Sequence, residues 1–228
     1  MVSANDNKQV LVANRSDRTV SVLSNNGTAV AKTDKIKPCD EESGPSGVAI
    51  TPDVKSALVT RDGDHFVSVL SIEGGKVELA KRDISTGLRP YGVAMNPNGK
   101  LAVVANVNRG AGDSDTISVM DLTAKPYRSV DRSAVGQTPE SVAFSADREF
   151  LAAVVMNGSN KPKGLPFFND PGQLLVFRVD GMKLGKVAGA PMGHWSQGVV
   201  FSKDGKTLLA QNMVEKYLRV FSFDGANL

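Results

Sequence analysis

One short pattern recurs four times along the chain, and it constrains the fold more than any other feature. Residues 47–53, 92–98, 141–147 and 198–204 each begin with glycine or serine, continue with valine and further apolar residues, and end in a polar turn. The spacings between the copies are 45, 49 and 57 residues. A self-similar period near this length predicts one supersecondary unit stacked several times, not a single mixed core.

Three further runs follow the pattern, so the repeated unit contains four short strands. Residues 101–105 form a continuous apolar run, and residues 116–120 alternate in polarity with the period of a half-buried strand. Turns such as the Glu-Gly-Gly-Lys of residues 73–76 lead to a fourth, more polar strand. Four antiparallel strands repeated in this way predict an all-β fold, a β-propeller of four-stranded blades.

An internal alignment adds one blade before the first copy of the pattern. Residues 11–23 align without gaps with residues 58–70 at an offset of 47, and 7 of the 13 positions are identical. The chain is therefore predicted to hold about five blades in a single domain, the first without part of its inner strand and the last without its outer strand. The predicted bounds of the blades are 1–45, 46–90, 91–139, 140–197 and 198–228.

Short motifs in the blades resemble a known family. Val-Ala-Asn occurs at residues 12–14 and 104–106, each time followed by a polar loop and a strand that starts at Thr19 or Thr116. With the four inner-strand patterns, these motifs resemble the bacterial YVTN-repeat β-propellers, which are similar to the lactonase-type propellers related to 6-phosphogluconolactonase. The resemblance implies a seven-bladed ring, which needs about 315 residues at this period. The chain therefore looks like a fragment of such a ring or a shortened relative, and the resemblance implies a periplasmic or secreted protein.

Composition narrows the function classes. The 27 basic and 24 acidic residues are interspersed and leave a net charge of +3, so no nucleic-acid surface is expected. Cys39 is the only cysteine, which excludes an intrachain disulfide and a thiolate metal cluster. No run of 18 apolar residues that could span a membrane occurs, and residues 1–6 lack a signal-peptide pattern.

The candidate site lies where the crossovers between blades meet the loops between second and third strands, at one mouth of the channel. The alignment places Ser46, Tyr91, Glu140 and Gln197 at equivalent positions that should ring this channel. Glu140 and His194 are the candidate catalytic residues, because a carboxyl and an imidazole can act as acid or base. The alternative to a functional pocket is that the residues at these positions differ between blades only because loops tolerate variation. The predicted ligand-binding residues are Arg61, Arg89, Tyr91, Glu140, His194, Trp195 and Gln197.

Metal binding is a weaker alternative. Residues 62–64 (Asp-Gly-Asp) and 113–115 (Asp-Ser-Asp) offer oxygen ligands of the kind that calcium prefers. Both segments are also ordinary turns, and neither continues with the spacing of a calcium-binding loop. We therefore expect no metal and no cofactor. The long loop 157–172 is either a lid over the site or a segment folded back on its own blade.

Two functions from different classes fit these observations. The first is a non-enzymatic binding module that holds a protein or a small-molecule ligand at its loop-rich face. The alternative is a lactonase-like hydrolase acting on a sugar lactone or a related ester. The sequence favours the first, because Glu140 and His194 are its only plausible catalytic pair and fold analogy is not evidence of activity. Incomplete blades at both ends also predict self-association, because unpaired edges invite another chain.

Overall fold

The predicted all-β propeller with about five blades is confirmed. A computed structural model describes residues 1–4, 7–39 and 42–228, and these ranges hold twenty strands and no helix. The described residues thus include no helix that could cross a membrane. The strands form five antiparallel sheets in chain order, which we call blades 1 to 5.

Blades 1 and 2 are built from the N-terminal strands. The outer strand of blade 2 is split into two pieces that pair in succession with the third strand of that blade. Blade 1 contains β1 (Val2–Ser3), β2 (Gln9–Asn14), β3 (Thr19–Asn25) and β4 (Val30–Ile36). Blade 2 contains β5 (Pro45–Ile50), β6 (Ser56–Arg61), β7 (Phe66–Glu73), β8 (Lys76–Leu79) and β9 (Ile84–Ser85).

Blades 3 and 4 are complete four-stranded meanders, and blade 5 has three strands. Blade 3 contains β10 (Pro90–Met95), β11 (Leu101–Asn106), β12 (Asp115–Asp121) and β13 (Arg128–Gly136). Blade 4 contains β14 (Pro139–Phe144), β15 (Phe150–Val155), β16 (Gln173–Asp180) and β17 (Lys183–Pro191). Blade 5 contains β18 (Ser196–Phe201), β19 (Thr207–Asn212) and β20 (Tyr217–Ser222).

Apolar layers between consecutive blades form the core. At the junction of blades 3 and 4, Val103 and Val119 pack in one cluster with Leu151 and Leu175. Because an interior blade is covered on both faces, β11 and β15 are buried along their whole length and read as continuous apolar runs. In blade 5, β19 alternates between buried and exposed residues. The sheets pack in chain order, and the described residues do not close blade 5 onto blade 1.

The glycine of the recurring pattern has a steric role near the channel. A Cβ atom on Gly47 would lie 2.5 Å from the backbone oxygen of Tyr91, and one on Gly92 would lie 2.3 Å from that of Glu140. Both distances are far below van der Waals contact, so a side chain is excluded at either position. Glycine therefore lets neighbouring inner strands approach closely, and this approach sets the positions of Tyr91 and Glu140 in the channel.

Candidate functional site

A cavity of about 290 Å³ opens at the mouth of the channel, between the crossovers and the loops that connect second and third strands. It contains most of the ligand-binding residues predicted from the sequence, together with three cationic side chains that were not predicted. The predicted residues in its lining are Arg89, Tyr91, Glu140, Trp195 and Gln197, and the added cations are Arg15, Arg109 and Lys161.

The backbone aims several of these side chains inward. Arg89, Thr138 and Trp195 each sit at or next to the start of an inner strand, and their φ angles are 52°, 59° and 52°. This left-handed conformation is unfavourable for residues other than glycine, and it is common where binding sites impose a local geometry. All three residues line the cavity, so the same turn is used three times to present a side chain at the channel mouth.

Glu140 is the most unusual group in the cavity. Only 8% of the residue is exposed, and burial raises the pKa of its carboxyl from 4.5 to about 7, although a hydrogen bond from Gln197 opposes the shift. Gln197 Nε2 donates to Glu140 Oε1 at 2.8 Å, while Oε2 is buried and has no hydrogen-bond partner among the described residues. Glu140 can therefore exchange a proton near neutral pH through an oxygen that is not engaged by the protein.

Two arginines in the cavity lining share one buried carboxylate as an ion-pair partner. Asp62, whose side chain is 7% exposed, forms an ion pair with Arg15 of blade 1 and lies 3.7 Å from Arg89 Nη2. The Arg15 guanidinium carbon also lies 5.7 Å from the centre of the Tyr91 ring. One carboxylate between two guanidinium groups leaves a net positive charge, which favours an anionic ligand at this side of the cavity.

The long loop 157–172 contributes Asn160 and Lys161 to the wall of the cavity. Lys161 donates a hydrogen bond to the backbone oxygen of Gly110 and lies 5.0 Å from the centre of the Phe167 ring. Phe167 packs against Gly112, where a Cβ atom would come within 2.4 Å of the ring. Gln137 Nε2 donates to the Phe167 backbone oxygen at 3.1 Å. The loop therefore lies across the 107–115 loop of blade 3 and brings the cationic Lys161 to the cavity.

His194 is not among the residues that line the cavity with Glu140. Its Nδ1 lies 2.5 Å from Glu215 Oε1, and its Nε2 lies 3.3 Å from Asp170 Oδ1. The hydrogen bond with Glu215, followed by the charge of Asp170, raises the pKa of the imidazole above its usual value. A carboxylate at each ring nitrogen favours the protonated imidazole, and both nitrogens are directed at these carboxylates, so His194 braces the crossover.

Arg61 is also engaged outside the cavity. It ends β6 as Asn14 ends β2 and Asn106 ends β11. Its guanidinium is paired with Asp64, and its Nη1 donates to Asp83 at 2.7 Å and to the Pro38 backbone oxygen at 3.0 Å. These bonds fasten the crossover into blade 2, because the side chain is only 11% exposed and its donors are used within the protein.

The two aspartate segments considered for calcium have protein partners. Asp62 is paired with Arg15, and Asp64 with Arg61. Asp115 Oδ2 accepts a hydrogen bond from the Thr138 backbone at 2.7 Å. Within the described ranges, no three His, Cys, Asp or Glu side chains are grouped as metal ligands would be.

Only a weak signal in the sequence points to the three cations that were not predicted. Arg15 and Arg109 lie in the loops between second and third strands of blades 1 and 3, and Lys161 lies in the long loop of blade 4. The sequence predicts that these loops lie on the face of the candidate site, and all three loops contribute to the cavity lining. Only the path of each loop shows which of its cations reaches the cavity.

Comparison with solved structures agrees with the fold. A candidate 6-phosphogluconolactonase from Bacteroides fragilis superposes with a TM-score of 0.76 at 20% identity, over 98% of this chain and 65% of that protein. A candidate 6-phosphogluconolactonase from Bacteroides uniformis gives 0.80 at 16% identity, over 97% and 66%. The periplasmic gluconolactonase of Pseudomonas aeruginosa gives 0.74 at 19% identity, over 97% and 65%.

These similarities establish a lactonase-type β-propeller fold. The chain spans 65–66% of the length of these three proteins. Hydrazine synthase from Kuenenia stuttgartiensis superposes equally well, with a TM-score of 0.76 at 20% identity over 96% of this chain and 63% of that one. Proteins with different names thus share the architecture, so activity has to be argued from the cavity. No family model and no curated protein sequence matches the chain.

Proposed function

We propose that the cavity binds a sugar lactone that carries an anionic group and hydrolyses its ester, with Glu140 as the general base. One observation carries the proposal: a buried carboxyl with a pKa of about 7, one oxygen of which has no hydrogen-bond partner among the described residues, lines a cavity that also contains four cationic side chains. A base with a pKa near the working pH combines a useful ionised fraction with a useful affinity for the proton.

The reaction follows from this arrangement. Glu140 Oε2 removes a proton from a water molecule as the water oxygen attacks the lactone carbonyl carbon. The bond between that carbon and the ring oxygen then breaks, and the proton held by Glu140 passes to the ring oxygen. The product is a hydroxy acid, and no oxidant or reductant is needed. Gln197 holds Glu140 Oε1, so Oε2 is the oxygen that has no partner within the described residues and that the proposal assigns to the water.

The cations supply substrate binding and charge stabilisation. Arg89 and Arg15, anchored at Asp62, attract the anionic group of the substrate. Lys161, also in the cavity lining, offers positive charge to the oxyanion that forms at the carbonyl and to the carboxylate product. The same charges attract anionic substrates from solution, an effect that salt weakens.

A binding module without catalysis is the second candidate. The observation that favours it is the orientation of His194, whose two ring nitrogens face Glu215 and Asp170. Glu140 is then the only titratable acid or base that the cavity offers from the predicted pair. A protein of this kind would use Arg89 and Lys161 to hold an anionic ligand and would not turn it over.

Hydrolysis of 6-phosphogluconolactone and of the neutral gluconolactone tests the proposal, with acid release measured after subtraction of the spontaneous rate. Glu140→Gln should lose about 100-fold or more of the activity. The matched control Glu149→Gln, an exposed glutamate of the same blade, should not. Arg89→Ala should raise KM for the phosphorylated lactone more than for the neutral one, and the exposed Arg178→Ala should change neither.

The outcomes separate the two candidates. Turnover that is equal in the wild type and Glu140→Gln would remove Glu140 from the reaction. If neither lactone is hydrolysed, and 6-phosphogluconate binds in a way that requires Arg89, the binding module is the better account. A periplasmic location belongs to the same proposal, by analogy with the name of the Pseudomonas relative. Fractionation of cells that express the full-length gene product tests it.

A further inference from the structure

The three left-handed crossover residues of the cavity are each held by a side chain of the preceding blade. Every holding side chain lies in, or directly after, the loop between the second and third strands of that blade, and it accepts a hydrogen bond from the backbone N–H of the crossover residue: Arg89 donates to His65 Nδ1 at 3.0 Å, Thr138 to Asp115 Oδ2 at 2.7 Å, and Trp195 to Ser159 Oγ at 3.1 Å. A positive φ costs free energy in these residues, so a hydrogen bond that is specific to this backbone conformation helps to maintain it.

His65 contacts the crossover into blade 3 through two different groups. Its backbone oxygen accepts hydrogen bonds from the Thr86 amide at 3.3 Å and from the Thr86 hydroxyl at 3.0 Å. Its imidazole Nδ1 accepts the bond from the Arg89 amide. One half-buried residue of the blade 2 loop thereby holds residues 86 and 89, which are the two ends of the last segment before β10.

The contacts of the Arg89 guanidinium are longer than this backbone bond. Its Nη1 donates to the Asn108 backbone oxygen at 3.3 Å, and its Nη2 lies 3.7 Å from Asp62. The side chain is 39% exposed, so solvent competes for both contacts. The position of the guanidinium in the cavity therefore depends on the conformation of the Arg89 backbone, and His65 holds that backbone at its amide.

We propose that His65 is a positioning residue of the cavity, whose Nδ1 holds Arg89 in the left-handed conformation that presents its guanidinium to an anionic ligand. His65 is not among the residues that line the cavity, so it acts through Arg89. Because Nδ1 accepts a hydrogen bond, the neutral ring carries its proton on Nε2. The inference rests on the proposed function, since it takes Arg89 as the residue that binds the anion.

Two substitutions of His65 separate the acceptor from the rest of the side chain. His65→Ala removes the acceptor. His65→Asn supplies an amide oxygen in place of Nδ1, and asparagine tolerates the left-handed conformation that His65 adopts, with a φ of 67°. Arg18→Ala is the matched control, because Arg18 is the exposed residue at the equivalent turn of blade 1 and has a φ of 57°.

Calorimetric titration with 6-phosphogluconate measures the effect on anion binding. His65→Ala should weaken the affinity by about fivefold to tenfold, the effect of losing one hydrogen bond. His65→Asn should restore the wild-type affinity, and Arg18→Ala should retain it. In the lactone assay, His65→Ala should raise KM for 6-phosphogluconolactone and leave kcat, and KM for the neutral gluconolactone, unchanged.

NMR of the ligand-free protein tests the hydrogen bond itself, at a pH at which imidazoles are neutral. We expect a scalar coupling between the Arg89 amide nitrogen and His65 Nδ1, and ring nitrogen shifts that place the proton on Nε2. The Arg89 amide should exchange with solvent faster in His65→Ala and should regain its protection in His65→Asn. These measurements do not depend on turnover or on ligand binding.

The results distinguish this inference from the proposed function. A ring proton on Nδ1, or wild-type affinity in His65→Ala, would overturn the positioning role. Equal losses of affinity in His65→Ala and His65→Asn would also overturn it, because the acceptor would then not be the group that matters. If the wild type neither binds 6-phosphogluconate nor hydrolyses the lactones, the proposed function fails. The positioning of Arg89 is then decided by whether its amide exchange responds to His65→Ala and recovers in His65→Asn.

Discussion

Replacing Glu140 by glutamine should abolish a decrease in the free energy of unfolding that occurs as the pH rises. In the folded protein, burial raises the pKa of this carboxyl from 4.5 to about 7, so the native state binds the proton more tightly than the unfolded chain does. The contribution of Glu140 to stability is fully present below about pH 4.5 and is lost as the pH rises through about 7. A difference of about 2.5 pH units corresponds to about 3 kcal/mol.

Urea denaturation of the wild type and Glu140→Gln between about pH 4.5 and about pH 8 measures this effect. The other titrating groups are common to both proteins and cancel in the difference between the two free energies of unfolding. Relative to the variant, the wild type should lose about 3 kcal/mol across this window. The control Glu149→Gln should track the wild type throughout. A difference between wild type and Glu140→Gln that does not change with pH would refute the account of Glu140 as a buried carboxyl with a raised pKa.

Three further substitutions test the positions of individual residues. Arg61→Ala should lower the free energy of unfolding by about 2–3 kcal/mol, because it leaves the acidic partners of the guanidinium without a counter-ion. The substitution should leave ligand affinity unchanged. Gly92→Ala should cost about 2–4 kcal/mol and reduce activity, since its Cβ atom would displace the backbone of Glu140. In Glu215→Gln, the NMR-detected pKa of His194 should fall towards its usual value, because the largest cause of its elevation is gone. An unchanged melting curve, unchanged activity and an unchanged titration, respectively, would contradict these three expectations.

The fold could be predicted because its determinants are local and repeated. The glycine of the recurring pattern marks the close approach of inner strands, and the apolar second strands mark blades that are covered on both sides. An alignment of these patterns predicts that Tyr91, Glu140 and Gln197 lie around one channel, and the three residues line one cavity. The alignment also contained an indication that Arg61 has a structural role, because Arg61 is equivalent to Asn14 and Asn106 at the ends of second strands.

The rest of the site depends on backbone geometry and on contacts between blades. Trp195 and His194 are neighbours in sequence, yet the left-handed turn at Trp195 directs one into the cavity lining while the other pairs with Glu215. Arg15 reaches the cavity because Asp62 of the next blade holds its guanidinium. Neither outcome follows from residue type or spacing, since both depend on φ angles and on partners that are distant along the chain.

The most direct test of the central claim is the pH dependence of kcat/KM for hydrolysis of the lactone that turns over fastest. If Glu140 is the general base, kcat/KM should rise with pH, with a midpoint near 7, and level off above it, because only the ionised carboxylate accepts the proton. Glu140→Gln should remove both the midpoint and most of the rate. A wild-type rate that does not change across this pH range, or a midpoint that persists in Glu140→Gln, would contradict the assignment.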